Sequence, residues 1–217
     1  MISRQTALMH PAAKPGVFFL CLLPFMWLVY SALSNRLGAN PAEALIRATG
    51  DWTLRFICIV LAVTPLRTIS KTPALARLRR MLGLFVYFYV LLHLLCYSWF
   101  DMGLDVADIL KDIAKRPFIL VGFAAFVLLT PLAATSFNAA IKAMGARRWQ
   151  WLHKLVYAIA GLGVLHFFWM RAGKNNFAEV FVYAGIVAVL LGWRVLQRVR
   201  KAPPPTYRAS GLRVAAR

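Results

Sequence analysis

Long runs without a charged side chain are the feature that most limits how this chain can fold. No Asp, Glu, Lys or Arg occurs at positions 15–35, 81–100, 117–141 and 155–170. A membrane-spanning helix needs about 20 mostly apolar residues, and these runs reach or approach that length. Two shorter runs without charge, at 56–66 and 180–193, complete a set of six. They extend to roughly 52–69 and 177–199 if flanking arginines reach the membrane surface. The sequence therefore predicts an all-α integral membrane protein, a bundle of six transmembrane helices.

The basic residues are spread unevenly over the segments that join these helices. With the N-terminus placed in the cytoplasm, 18 of the 26 Lys and Arg residues fall on the cytoplasmic side and all seven acids fall on the outer side. This bias is the positive-inside pattern, and it predicts that both termini are cytoplasmic. The net charge of +19 then follows from topology, so we expect no nucleic-acid partner, which would need cations gathered on one soluble face.

The chain divides into three predicted parts. Residues 1–14 form a cytoplasmic N-terminal segment, residues 15–200 the six-helix domain, and residues 201–217 a basic cytoplasmic tail that we expect to be disordered. Two outer connections are expected to form helices on the membrane surface. The first is "LGANPAEALIRATGD", in which Asn40 can cap a helix that starts at Pro41. The second is the amphipathic stretch "FDMGLDVADILKDIAKRPF".

Three of the four histidines, His93, His153 and His166, fall inside predicted membrane helices. Polar side chains in a bilayer need partners, and no acid is expected in the membrane interior to pair with them. Neutral imidazole is a good iron ligand, and a haem between helices would satisfy the ring nitrogens. The alternatives are hydrogen-bonded packing histidines and a proton-coupled transport site, although the latter normally recruits carboxylates. The pattern favours a haem site in the bundle.

The depth of each histidine predicts which ones share a site. At 1.5 Å per residue, His93 lies about 18 Å from the inner membrane face, His166 about 25 Å and His153 about 6 Å. His93 and His166 are therefore the predicted ligand pair, in the outer half of the membrane. His153 lies near the cytoplasmic face without a histidine partner at its level, so the number of haems, one or two, stays open.

Five further residues are weaker candidates for cofactor binding. Tyr89 and Tyr97 flank His93 by one turn on either side and could line a haem edge, although aromatic packing is the simpler explanation. Arg55, Arg79 and Arg80 lie at helix ends, where they could pair with haem propionates or a phosphate. Reaching for the membrane surface explains these arginines equally well.

Four stretches of the sequence resemble the MsrQ (YedZ) family of haem-binding membrane subunits, which belongs with the ferric reductase-like transmembrane proteins. They are "NPAEALIRATGDWTLRFICIVLAVTPLR", "RRMLGLFVYFYVLLHLLCY", "RPFILVGFAAFVLLTPLAATS" and "RWQWLHKLVYAIAGLGVLHFFW". The resemblance implies a six-helix b-type cytochrome in the bacterial inner membrane. It also implies that His93, His153 and His166 are haem iron ligands.

The function implied by the resemblance is electron transfer in protein repair. Electrons would come from the quinone pool or a cytoplasmic flavin reductase, cross through haem b, and reach a periplasmic MsrP-like molybdoenzyme that reduces methionine sulfoxide in oxidised proteins. The chain would then be an electron-transfer subunit, with the catalytic reduction carried by its partner. FMN is implied too, but no phosphate-binding glycine loop assigns residues to it. The alternatives are a stand-alone ferric or quinone reductase and, from another class, a proton-coupled transporter.

Overall fold

The computed structural model describes residues 8–173 and 175–201, and all the elements assigned there are helical. A 3-10 helix, Pro73–Leu78, leads into α3, and a π-helical turn, Tyr97–Asp101, follows it. The predicted tail and most of the predicted N-terminal segment lie outside the described residues. The α-helices are α1 Ala13–Leu33, α2 Pro41–Ile69, α3 Arg79–Cys96, α4 Val106–Lys115, α5 Pro117–Ala134, α6 Asn138–Met144, α7 Ala146–Leu152, α8 Leu155–Ala172 and α9 Ala178–Lys201.

Six helical segments of the described chain are long and apolar enough to cross a membrane. Large apolar side chains cover their outer surfaces: Phe19 is 63% exposed and Val189 is 69% exposed, as expected for helices that face lipid. The protein is a multi-pass membrane protein, and the prediction of an all-α bundle of six spans is confirmed. The spans are Ala13–Leu33, Pro41–Ile69, Pro73–Asp101, Pro117–Ala134, Ala146–Ala172 and Ala178–Arg200.

Successive spans run in opposite directions, which gives the bundle two chemically different ends. The connections after α1, after α3 and after α8 share one end, and all seven acids lie in or near them. We call this the acidic end and the opposite one the basic end. The side of the membrane that each end faces stays a prediction from the positive-inside pattern.

The second span begins earlier than predicted. The Asn40 side chain accepts the Glu43 N–H at 3.1 Å, and Pro41 occupies the first helical position, as predicted. From there α2 continues without interruption to Ile69, so the surface helix predicted for residues 37–51 is wrong. That segment forms roughly the first three turns of α2. The reason is that an isolated glycine, Gly50, weakens a helix without ending it.

The fifth span is interrupted by a turn. At His153 and Lys154 the chain tightens into a turn, because the Lys154 N–H bonds the Trp151 carbonyl three residues back, and this separates α7 from α8.

The fourth span ends at Ala134 rather than near residue 141. There the Thr135 and Ser136 hydroxyls donate to carbonyls of the last turn, at 2.7 and 2.6 Å, which satisfies acceptors that the helix end leaves open.

Packing brings four spans around one interior space. The most extensive contacts join α2 to α3 and α5 to α8, and further contacts join α3 to α5 and α2 to α8. The span α9 packs on α2 and α8, and α1 packs less extensively on α2 and α3. The helices α2, α3, α5 and α8 therefore surround the centre of the bundle.

An arginine of α9 compensates for a proline inside α2. Pro65 has no N–H, so the Leu61 carbonyl, four residues earlier, lacks its helical donor. Arg194 donates to that carbonyl from Nη2 at 2.5 Å and to the Leu190 carbonyl from Nη1 at 2.8 Å. The guanidinium also lies 5.5 Å from the centre of the Tyr157 ring. One charged side chain thus links α9 to α2 and α8 within the span.

Candidate cofactor site

His93 of α3 and His166 of α8 face each other inside the bundle. Their ring centres are 6.1 Å apart and their planes are inclined by 78°. Two imidazoles that bind one metal ion from opposite sides, with metal–nitrogen bonds of about 2.0–2.1 Å, have ring centres roughly 6 Å apart. The structure therefore brings the two histidines of the predicted pair together at a spacing that suits a shared metal ion.

A backbone carbonyl holds each ring by its Nδ1 atom. The distance is 2.8 Å from His93 Nδ1 to the Ile46 oxygen in α2, and 2.6 Å from His166 Nδ1 to the Phe118 oxygen in α5. A carbonyl oxygen can only accept, so Nδ1 carries the proton and donates in both rings. The Nε2 atom of a neutral imidazole then keeps its lone pair. This is the form that binds a metal, and metal-binding histidines are commonly oriented in this way.

A glycine lies against each ring. A Cβ atom on Gly50 would be 3.1 Å from Cε1 of His93, and one on Gly122 would be 2.7 Å from Nδ1 of His166. The second distance is shorter than real Cβ contacts, and the first is tighter than most of them. Any larger residue at either position would thus displace the ring.

The two rings are held by the same arrangement on different helices. In α2 the carbonyl acceptor is Ile46 and the glycine is Gly50, and in α5 they are Phe118 and Gly122. In both helices the glycine comes four residues, about one turn, after the acceptor. We call each carbonyl and glycine pair a histidine socket. Neither socket was predicted, and the available signal was the lone glycine within a helical segment, which often marks a close approach of two helices in a membrane.

Both rings lie in the wall of a cavity of about 400 Å³ between α2, α3, α5 and α8. This volume falls within the range of small-molecule and cofactor sites, about 300–1,000 Å³. The apolar part of the wall includes Leu54, Ile57, Phe126, Leu129 and Ile159. Charged and polar side chains line the mouth at the acidic end: Glu43, Arg47, Asp51, Tyr97, Asp101 and Arg116.

Hydrogen bonds and ion pairs order the mouth of the cavity. Arg47 pairs with Glu43 one turn earlier, and Arg116 Nε lies 2.8 Å from Asp112 Oδ1. The Tyr97 hydroxyl donates to Asp112 Oδ2 at 2.7 Å. Since Tyr97 follows α3 and Asp112 belongs to α4, this bond ties the short amphipathic helix to the third span.

One acid lies deeper than the sequence indicated. Asp51 lines the cavity and is part of α2, so the expectation that no acid would lie inside a span is wrong. The cause is the early start of α2 at Pro41, which draws this position into the helix. The cavity is therefore apolar at its centre but not free of carboxylates towards its mouth.

The two weaker tyrosine candidates occupy different environments. Tyr97 lines the cavity. Tyr89 is fully buried and is not among the lining residues of the described chain. Its hydroxyl donates to the Cys21 carbonyl at 2.9 Å and accepts the Phe25 N–H at 3.1 Å, both in α1. Tyr89 is therefore placed to join α3 to α1 rather than to contact a group in the cavity.

The three arginine candidates lie away from the cavity wall. Arg55 Nε donates to the Tyr183 hydroxyl at 3.1 Å, and its guanidinium lies 4.7 Å from the centre of the Trp52 ring. Arg79 starts α3 at the basic end, and Arg80 Nη1 donates there to the Asn138 side chain at 2.7 Å. The arginines that do line the cavity are at its mouth, Arg47 and Arg116.

His153 is separate from the pair. It lies at the break between α7 and α8, towards the basic end, and does not line the cavity. Its ring stacks on Trp149 with centres 3.9 Å apart, and its Nδ1 lies 3.0 Å from the Trp149 carbonyl. Among the described residues its buried Nε2 has no hydrogen-bond partner. Buried polar atoms are usually paired, so this nitrogen is a candidate ligand atom of its own.

The ligand set fits a metal held in a macrocycle better than a bare ion. Within residues 8–173 and 175–201, no group of three or more His, Cys, Asp or Glu side chains is placed to hold a metal ion. Protein sites for bare zinc usually supply three or four side-chain ligands. A haem supplies four nitrogens itself and needs only the two axial ligands that a histidine pair provides. The tautomers, the ring spacing and the cavity all fit that group.

Comparison with known proteins gives consistent similarities. The family model described as ferric reductase like transmembrane component matches residues 49–164. The chain is 80% identical over 202 residues to a protein of Polaromonas naphthalenivorans, covering 93% of this chain and 92% of the relative. It is 56% identical over 182 residues to one of Herminiimonas arsenicoxydans, with 84% of each covered. A Caulobacter vibrioides protein is 42% identical over 186 residues, covering 86% of this chain and 88% of that protein.

Each of these relatives is named a protein-methionine-sulfoxide reductase heme-binding subunit, MsrQ. No solved structure matches the chain. The region matched by the family model contains His93 and His153 and ends just before His166. It also contains both histidine sockets apart from the Ile46 carbonyl.

Proposed function

The chain belongs to the MsrQ family of ferric reductase-like transmembrane proteins, and from this membership we propose that it is the haem-binding, electron-transfer subunit of a protein-methionine-sulfoxide reductase system. The resemblance seen in four stretches of the sequence is thereby confirmed at the level of the family. The observation that carries the proposal is the His93 and His166 pair, with ring centres 6.1 Å apart and each Nδ1 held by a carbonyl.

In this proposal a haem b in the cavity would be held by His93 and His166 through their Nε2 atoms. Bound haem b supplies one-electron chemistry at its iron. Two histidine ligands would leave no position on the iron open to oxygen or a substrate, which suits electron transfer. The carbonyls of Ile46 and Phe118 keep both rings in the ligating tautomer, and the apolar wall keeps water away from the ligand atoms.

His153 is proposed as a ligand at a second, separate position. Its support is the buried Nε2 without a partner in the described chain, together with its place at the other end of the same span as His166. The two histidines of that span cannot share one metal, because the thirteen positions between them correspond to about 20 Å along a helix. We therefore propose one haem b at the pair, with a second, if bound, at His153.

The direction of transfer follows from the ends of the bundle. The positive-inside pattern assigns the basic end and both termini to the cytoplasm of a bacterium and the acidic end to the periplasm. The histidine pair lies towards the acidic end, which supports our proposal that it passes electrons to a periplasmic MsrP-like molybdoenzyme. The donor in this proposal is the quinone pool or a cytoplasmic flavin reductase. FMN is carried over from the resemblance alone, without assigned residues.

The ligands are tested by haem quantification in the purified full-length protein. His93→Ala and His166→Ala should each remove the low-spin b-type absorption of the haem held by the pair, whereas His153→Ala should keep that haem. His10→Ala is the matched control, because His10 is exposed before α1 and bonds only the nearby Ala12 N–H among the described residues. An unchanged low-spin spectrum in the first two variants would refute the ligand assignment.

The role as a subunit is tested with and without a partner. The reduced protein should transfer electrons to a purified MsrP-like enzyme and support methionine sulfoxide reduction, but should reduce ferric chelates or quinones poorly by itself. Rapid reduction of ferric chelates without any partner would favour the stand-alone reductase. Absence of haem from the wild-type protein would refute both redox functions.

A further inference from the structure

We infer that Gly50 and Gly122 are positioning residues that hold the two axial imidazoles nearly perpendicular and thereby set the electronic state of the iron. This inference rests on the proposed haem ligation by His93 and His166. It concerns two glycines of the cavity wall that act through the histidines. The evidence is the construction of the two sockets and the 78° angle between the ring planes.

Each socket has two parts that determine how its ring is oriented. One is the hydrogen bond from Nδ1 to the carbonyl, which together with the Cβ–Cγ bond limits the rotation of the ring. The other is the glycine, which faces the Nδ1–Cε1 edge in both rings. A Cβ on Gly50 would meet His93 Cε1 and Nδ1 at 3.1 and 3.2 Å, and one on Gly122 would meet His166 Nδ1 and Cε1 at 2.7 and 2.9 Å. The glycine therefore leaves the space that the observed ring orientation occupies, and a side chain at that position would turn or displace the ring.

The sockets fix the two rings independently. The socket of His93 is on α2 and the socket of His166 is on α5. His93 itself belongs to α3 and His166 belongs to α8, so four different helices are involved. The angle between the planes is therefore determined by how four helices pack and not by the porphyrin. With the ligand orientation imposed by the protein, axial-ligand geometry becomes one of the means by which the chain tunes the iron.

Perpendicular axial imidazoles have a known spectroscopic consequence. Parallel planes donate π density along one direction and split the iron dxz and dyz orbitals, which gives low-spin ferric haem a rhombic EPR spectrum with three well-separated g values. Nearly perpendicular planes donate along both directions and leave these orbitals almost equal in energy. The spectrum is then highly anisotropic, with one dominant feature whose g value is larger than in the rhombic case.

The chain offers graded substitutions and a matched control. Gly122→Ala introduces the shorter contact, 2.7 Å, and should rotate His166 further than Gly50→Ala, at 3.1 Å, rotates His93. Gly163→Ala is the control, because it lies in α8 three residues before His166 and a Cβ there would meet Ile57 and Leu54 at an ordinary 3.8 Å. All three changes add the same single methyl group to a membrane helix.

The test is EPR of the oxidised full-length protein, with haem content measured on the same samples. The wild type and Gly163→Ala should show the highly anisotropic signal. Gly50→Ala should move the largest g value towards the rhombic range, and Gly122→Ala should move it further at unchanged low-spin character.

The outcomes separate this inference from the proposed function. A rhombic wild-type signal, or a signal unchanged in Gly50→Ala with haem bound, would overturn the inference while leaving the ligand pair intact. If Gly122→Ala fails to retain haem, Gly50→Ala, with its milder contact, decides the question. Absence of any low-spin haem signal in the wild type would instead refute the proposed function.

Discussion

Replacing Tyr89 by phenylalanine removes a single hydroxyl from one of the most deeply buried side chains of the bundle. Tyr89 is 0% exposed, and its hydroxyl bonds the Cys21 carbonyl at 2.9 Å and the Phe25 N–H at 3.1 Å. An unbroken α-helix pairs a carbonyl with the N–H four residues later, so these two groups of α1 are natural partners of each other. The hydroxyl bonds both of them and so attaches α1, which has few other contacts, to α3.

The expected cost of Tyr89→Phe is about 1–2 kcal/mol in the free energy of unfolding. Hydrogen bonds between membrane helices contribute about 0.6 kcal/mol on average and reach about 1.7 kcal/mol, and two are lost here. Part of the loss is recovered because the two α1 groups can bond each other once the hydroxyl is gone. For a chain of this size a loss of 1 kcal/mol lowers the Tm by about 2–4 °C, so we expect a decrease of about 2–8 °C.

Thermal unfolding in detergent measures this change, with Tyr87→Phe as the control. The Tyr87 hydroxyl accepts one long hydrogen bond, 3.5 Å from the Thr130 hydroxyl, so its removal should change the Tm much less. The haem content and absorption spectrum of Tyr89→Phe should stay as in the wild type, since Tyr89 does not line the cavity. An unchanged Tm, or loss of haem at an unchanged Tm, would refute the structural role assigned to this hydroxyl.

Two further predictions concern single side chains that tie helices together. Arg194→Met should lower the free energy of unfolding by about 1–2 kcal/mol, because the Leu61 carbonyl loses its donor. The same substitution should cost clearly less in a Pro65→Ala background, because the restored N–H of residue 65 bonds that carbonyl. Equal costs in the two backgrounds, measured by thermal unfolding in a double-mutant cycle, would contradict this reasoning. Tyr97→Phe removes the hydrogen bond to Asp112 and should speed amide hydrogen exchange in α4 several-fold without changing exchange in α9. An unchanged exchange rate in α4 would contradict the proposed attachment.

The spans were predictable because hydrophobicity and charge along the chain report directly on contact with lipid. Six runs without charge correctly predicted six spans, and the amphipathic stretch after α3 correctly predicted the helix α4. The boundaries at Pro41 and His153 were not predictable in the same way. The segment before Trp52 is polar enough to resemble a surface helix, yet in the structure it is part of α2. Its charged side chains are tolerated there because they lie near the acidic end, where they can reach water or line the mouth of the cavity.

The histidine pair was predictable and the sockets were not, for a physical reason. Helical rise converts sequence position into depth, so His93 and His166 could be predicted to lie nearer in depth to each other than either lies to His153. The sockets depend on which helices are neighbours and how they are rotated about their axes. Gly50, Gly122 and the carbonyls of Ile46 and Phe118 acquire their roles only when α2 packs on α3 and α5 packs on α8.

In the proposed electron transfer, the position of the histidine pair along the membrane normal would make electron delivery sensitive to voltage. His93 lies about 21 Å from the start of α3 at 1.5 Å per residue, or about two thirds of a hydrocarbon core of about 30 Å. A unit charge crossing the whole membrane exchanges about 2.3 kcal/mol per 100 mV. For an electron that enters at the basic end, the free energy of reaching the pair thus changes by roughly 1.5 kcal/mol per 100 mV. This shifts the equilibrium of that electron transfer about tenfold. One that enters from a quinol near the acidic end crosses almost none of the field, so the voltage dependence in energised vesicles identifies the side of entry.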